Sequence, residues 1–191
     1  MGSPLPNPSD RRVIRTRRSL REALVELLHE RRWEEIAVQD ICARADVGRS
    51  TFYLHFADKE ELLAGGFDDL GRVIRATLDP AGPTATPLRF ARGLLEHALE
   101  NRRLFRALVG QRSGQVVLRR FRALVLDLVA EDLATHAPPT PTREAAAHFL
   151  AGAFLELLTW SLEGRTGPGA AELDAWFGAM AGSALSVSQE V

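Results

Sequence analysis

The segment Val38 to Phe56, reading VQDICARADVGRSTFYLHF, constrains this chain more than any other stretch. Val38, Ile41, Cys42 and Ala45 recur at helical spacing, so one face is apolar. Asp46-Val47-Gly48 interrupts the pattern, and Asp and Gly both tolerate turn conformations that other residues resist. A second helical pattern runs from Arg49 to Phe56, with Phe52 and Phe56 on one face and Arg49, Ser50, Thr51, Tyr53 and His55 on the other. This is the plan of a helix-turn-helix, in which one helix braces and the second lies in the DNA major groove with its N-terminal residues toward the bases. The polar face offers a guanidinium suited to guanine or phosphate, two hydroxyls, a phenol and an imidazole. From this stretch alone, a helical hairpin whose polar face merely meets water is the alternative.

The flanks carry more. A preceding helix supplies Leu20, Ala23, Leu27 and Leu28; Trp33, Ile36, Val38, Asp40-Ile41 and Ala43-Arg44-Ala45 follow. The run closes with Val47-Gly48-Arg49-Ser50-Thr51-Phe52-Tyr53-Leu54-His55-Phe56 and Asp58-Lys59-Glu60-Glu61-Leu62-Leu63. These residues resemble the N-terminal DNA-binding domain of the TetR family of bacterial transcriptional regulators, and the ending Phe-Tyr-x-His-Phe-x-x-Lys-Glu is specific to it. The resemblance stops near Leu63. It implies phosphate contacts from Tyr53, His55 and Lys59, a homodimer formed by the last two helices, and a ligand that tilts the DNA-binding heads through the fourth helix. Three positions depart from the family pattern. Ala37 stands where a capping Thr is usual, Asp46 replaces a turn Gly, and Arg32 occupies the place of a Gly that ends the first helix.

Composition narrows the fold class. Tyr is used once, β-branched runs are absent, and Ala, Leu, Arg and Glu dominate, which favours an all-α chain. The net charge of −1 excludes a polycation, so DNA binding has to rest on local charge. Arg11, Arg12, Arg15, Arg17 and Arg18 supply it, with no acid among residues 11–18. Beside the positive N-terminal end of a helix these charges repel, and a DNA backbone would relieve them; simple solvation is the alternative. Cys42 is the single cysteine, so no disulfide within the chain can form. The N-terminus is Pro-rich and polar, with no signal-peptide pattern, so a cytoplasmic location is expected.

The expected organisation is a disordered N-terminus over 1–10, a DNA-binding head over 11–57 and a regulatory, ligand-binding and dimerisation body over 58–191. Leu20, Ala23, Leu24, Leu27 and Leu28 make the apolar stripe of the first helix. Asp58 and Glu61 have capping-box spacing at the start of the fourth. That helix carries Gly65, Gly66 and Gly71, read as points of close packing, with a hinge as the alternative. Residues 80–87 are rich in chain breakers and read as a linker. Thr140 followed by Pro141 fits a helix start. The segment Glu144 to Glu163 is apolar nearly all round and needs cover on more than one side. A membrane span is set aside because His148 and Glu156 lie inside it and the run is barely long enough. A second copy of the chain is the cheapest cover.

The expected DNA contacts are Arg49, Ser50 and Thr51 to bases, Tyr53, His55 and Lys59 to phosphates, and Gln39 and Arg44 from the bracing helix. The expected ligand pocket is lined by Phe90, Leu94, His97, Phe105, Leu108, Phe121, His148, Phe149 and Gly152; ordinary core or surface roles are the alternative for each. The expected dimer interface uses Phe154, Leu158, Trp160, Leu173, Trp176, Phe177 and Met180. The partners expected are double-stranded operator DNA, a second copy of the chain and a small-molecule effector, with no membrane. The five histidines show no recognised metal-ligand spacing, and no phosphate-binding glycine loop or nucleophile elbow is present, so no metal, cofactor or enzyme activity is expected. The reading is therefore a homodimeric repressor released by a small ligand. The rivals are a helical enzyme or scaffolding module with a helix-turn-helix-like hairpin, and a DNA-binding protein that needs no ligand.

Overall fold

The computed structural model describes residues 8–77, 88–109, 114–135, 138–164 and 167–189, and all regular structure among them is helical. The elements are α1 (Pro8–Glu30), a 3-10 turn (Trp33–Glu35), α2 (Val38–Ala45), α3 (Arg49–Tyr53), α4 (Lys59–Thr77), α5 (Phe90–Glu100), α6 (Arg102–Val109), α7 (Gly114–Ala134), α8 (Pro141–Glu163) and α9 (Ala170–Gln189). The first helix starts at Pro8, earlier than the expected Arg11, because proline is tolerated in a first helical turn. Residues 1–7 and the expected linker at 80–87 lie outside the described residues.

The head folds around the stripe read from the sequence. Leu20, Ala23, Leu24, Leu27 and Leu28 of α1 are buried against Trp33, Ile36, Ile41, Cys42, Phe52 and Phe56. Burial pushes the Cys42 thiol pKa up, as befits a small core residue. Asp46 closes α2 in the left-handed region, at φ 52° and ψ 46°, where Asp is tolerated in place of Gly. Arg32 lies at φ −71° and ψ 150°, extended backbone that any residue adopts, so the missing glycine there costs no strain. Ala37 has no side-chain acceptor for the α2 amides, but Asp40 Oδ2 accepts from the Ala37 amide at 2.8 Å and supplies half of a box.

Helix α4 joins head to body. Its start is capped reciprocally: the Glu61 amide donates to Asp58 Oδ1 at 2.7 Å, and Glu61 Oε2 accepts from the Ala57 amide at 2.6 Å. Leu62 and Leu63 are buried in the core, and Phe67 stacks on Phe121 of α7 with ring centroids 5.8 Å apart. Arg75 makes a two-pronged ion pair with Glu131 of α7 at 2.6–2.7 Å. Each Gly in a helix interior costs about 1 kcal/mol relative to Ala, and the reasons for tolerating it differ along α4. A Cβ on Gly71 would stand 2.8 Å from Leu124 Cδ1, so glycine lets α4 approach α7. A Cβ on Gly65 would meet Arg21 Nη2 at 3.1 Å, whereas one on Gly66 would meet nothing within 4 Å. Close packing therefore explains Gly65 and Gly71 and fails for Gly66.

In the body, α8 begins as read: Thr140 Oγ1 accepts from the Arg143 amide at 3.1 Å, with Pro141 in the first turn. Its C-terminal carbonyls are held by α6, where Arg102 Nη2 donates to Ser161 O at 2.6 Å and Arg106 Nη2 to Glu163 O at 3.3 Å. By length and composition α8 could cross a membrane, but half of its most apolar window is buried inside the protein. That burial corrects the interface read from sequence. Phe154 and Leu158 of α8 and Leu173 and Phe177 of α9 are buried in the chain's own core, with the Phe154 ring 5.4 Å from Phe90 and 5.3 Å from Phe177. Trp160, Trp176 and Met180 remain exposed. A helix apolar all round gives no periodic clue to which side its own chain will cover.

Candidate nucleic-acid interface

Helix α3 is short and is held by its aromatic side. Phe52 and Phe56 are buried with ring centroids 5.9 Å apart, and the Arg17 guanidinium of α1 lies 4.9 Å over the Phe56 ring. The opposite side is left to solvent. Arg49, Ser50 and Tyr53 are exposed, while Thr51 and His55 are half-buried. Residues four apart stack on a helix, so Arg49 sits above Tyr53 and Ser50 above Leu54, whose amide donates to Ser50 O at 3.2 Å. Leu54 is 80% exposed, the most of any large apolar side chain described. It was absent from the expected contacts, and the signal that could have found it is its place in the same outward row as Ser50.

Two expected DNA contacts are engaged within the protein. Arg44 Nη1 and Nη2 donate to both carboxylate oxygens of Glu30 at 3.0 and 2.7 Å, and Nη1 also reaches Glu26 at 3.2 Å. These hydrogen bonds, that to Glu30 foremost, raise the Arg44 pKa above its ordinary value, and the bond from Arg44 lowers that of Glu30. Arg44 thus ties α2 to α1. Lys59 Nζ donates to Trp33 O and Ile36 O, both at 2.8 Å, and sits 4.4 Å from the Trp33 ring centroid. Two of its three donors serve the fold, so Lys59 braces the head. Neither partnership is visible from spacing, because the acceptors lie 14 to 26 residues away. Gln39, in the first turn of α2, is exposed and stays available.

The expected pocket is reorganised. A cavity of about 260 Å³ lies between α1, α4, α5 and α6, at the junction of head and body. His97, Phe105 and Leu108 line it. Phe90, Leu94 and Phe121 are buried in the surrounding core and do not line it. His148 and Phe149 are exposed on α8, and half-buried Gly152 lies on the same helix, away from the cavity. The walls that sequence reasoning missed are Arg21, Leu24, Val25 and Leu28 of α1 and the α4 face from Leu62 to Val73. Phe149 belongs instead to an outer groove of α8 and α9 with Trp160, Phe177 and Met180. Among the described residues no three His, Cys, Asp or Glu side chains gather as a metal site would need.

Comparison with known proteins agrees with this geometry. Residues 20–65 match the profile of the bacterial regulatory proteins, tetR family. The chain is 46% identical over 55 residues to the uncharacterised HTH-type transcriptional regulator YxbF of Bacillus subtilis, covering 28% of this chain and 14% of that protein. It is 41% identical over 69 residues to the HTH-type transcriptional repressor DhaR of a Mycobacterium species, covering 34% of this chain and 35% of that one. These two alignments span about a third or less of either relative. The whole fold is similar to a TetR transcriptional regulator from Streptococcus agalactiae, with a TM-score of 0.68 at 27% identity over 91% of this chain and 97% of that one. The head thus matches the TetR family profile, and the full length follows the fold of a TetR transcriptional regulator.

Proposed function

We propose that this protein is a transcriptional regulator that binds a specific operator as a homodimer and is released from it by a small ligand. The observation that carries the reading is the α3 face: Arg49, Ser50 and Tyr53 stand exposed on a helix whose other side is locked by Phe52 and Phe56. A guanidinium and a hydroxyl near the helix N-terminus suit base edges in the major groove, and Tyr53 and His55 at its end suit phosphates. Thr51, half-buried, lies between them. Leu54 adds an apolar contact for which thymine, with its C5 methyl, is the matching base. The exposed Phe149, Trp160, Trp176 and Met180 support pairing with a second copy through α8 and α9. Pairing would set two α3 helices about 34–36 Å apart on successive major grooves. Such a regulator works in the cytoplasm, where the DNA is.

The test is selection of an operator from random duplex DNA, followed by titration by fluorescence anisotropy at fixed salt. Arg49→Ala combined with Tyr53→Ala is expected to lower operator affinity at least about 30-fold, since each lost base or phosphate contact is worth about 1–3 kcal/mol. Unchanged affinity in the folded double variant would sink the assignment of α3.

A further inference from the structure

Gly66 gives α4 a weak point with no steric excuse. Its neighbours Gly65 and Gly71 make room for Arg21 and Leu124, but a side chain on Gly66 would enter open space. Gly66 also lines the cavity between head and body. What glycine achieves at this position is to leave the cavity empty.

The lining defines what would fit. Leu28, Leu63, Phe67, Leu104 and Phe105 contribute to an almost wholly apolar wall. Arg21 and Asp69 lie at this wall and pair with each other, leaving the wall itself neutral, while the exposed Arg72, outside the wall, also reaches Asp69 at 2.7 Å and the buried Arg21 Nε is left without a hydrogen-bond partner. Bringing a charged molecule here would strip its water without replacement. His97 adds one imidazole, held edge-on to Phe105 with ring centroids 5.8 Å apart. An apolar cavity of about 150 Å³ accepts benzene, so about 260 Å³ admits a single ring with a short substituent.

We propose that this cavity is a ligand site for a neutral, single-ring molecule bearing one hydroxyl-like group, with Gly66 keeping the space and His97 reading the polar group. The inference rests on the ligand-release reading and goes beyond it by assigning the site and the ligand's chemistry. The lining takes residues from α1 of the head and α6 of the body, so an occupant touches both.

The probes are 4-ethylphenol and ethylbenzene, titrated into the full chain by calorimetry, with operator affinity measured in parallel. Wild type is expected to bind 4-ethylphenol about 3–10-fold more tightly than ethylbenzene, the worth of one net hydrogen bond. His97→Leu is expected to erase that preference. Gly66→Leu is expected to abolish binding of both probes while keeping operator affinity. If that variant does not fold, Gly66→Ala serves: it is expected to weaken both probes and raise Tm by about 2–4 °C. No binding of either probe by wild type, or equal binding by the Gly66 variants, overturns the proposal. Probe binding that Gly66→Leu abolishes, with operator affinity unchanged at saturation, upholds the site and defeats ligand release instead.

Discussion

Helices α3 and α8 each bury one side and show another, and the shown sides are chemical opposites. On α3 the exposed residues Arg49, Ser50 and Tyr53 are ones that water solvates readily, with Leu54 just past its end the apolar exception, and a partner is inferred only from what these groups can recognise. On α8 the exposed residues include Phe149 and Trp160, with Trp176 and Met180 beside them on α9 and the two indole rings 6.5 Å apart. A clustered apolar surface of this kind is unfavourable in water whatever it recognises. The polar face can wait for its ligand; the apolar face calls for continuous cover. The two faces therefore fail in different ways when altered, and α8 contains both kinds of apolar residue, those that hold the fold and those left outside it.

Phe154→Ala draws that line most sharply. The ring is fully buried between Phe90 and Phe177, so its loss should cost about 3–5 kcal/mol. Thermal unfolding should show a Tm drop of at least about 6 °C. A small drop accompanied by a change of oligomeric state would return Phe154 to the interface. Met180→Asp is the complement. Met180 is 63% exposed, so the protomer fold should be nearly unaffected. Sedimentation should shift from twice 21.0 kDa toward 21.0 kDa, and operator affinity should fall about 100-fold as the second head is no longer tethered. A dimer that survives Met180→Asp would move the interface elsewhere.

The same contrast explains what could be read from the sequence. Features that depend on neighbours in the chain were legible: the α1 stripe, the turn at Asp46, the Asp58–Glu61 cap and the Thr140-Pro141 start. Each is decided within one or two helical turns. The fate of an apolar residue on α8 is not, because Phe154 and Trp160 look alike until α5 and α9 are in place. Gly66 and Gly71 are likewise the same letter on the same helix, yet one faces Leu124 and the other a void. For the site, the outward row of α3 is legible from its periodicity, whereas the partners of Arg44 and Lys59 are not, because their acceptors come from distant turns. The α1 wall of the cavity had no sequence signal at all.

Arg44 supplies the finest test of the head, because its expected effect is the smallest. Its partners Glu26 and Glu30 are half or more exposed, and solvent-screened pairs contribute little. Arg44→Ala should therefore leave operator affinity within about twofold, while Tyr53→Ala alone lowers it about tenfold. The pair also has a pH signature. The hydrogen bond from Arg44 depresses the Glu30 pKa below its ordinary value of 4.5. A carboxylate depressed in the folded state stabilises the fold above that value and loses the contribution as pH falls through the folded pKa. The small Tm gap between wild type and Arg44→Ala at pH 7 should thus narrow as the pH falls below 4.5. An operator affinity that instead falls as far as it does for Tyr53→Ala would mean that Arg44 leaves Glu30 to meet the DNA, and the line between strut and contact in the head would have to be redrawn.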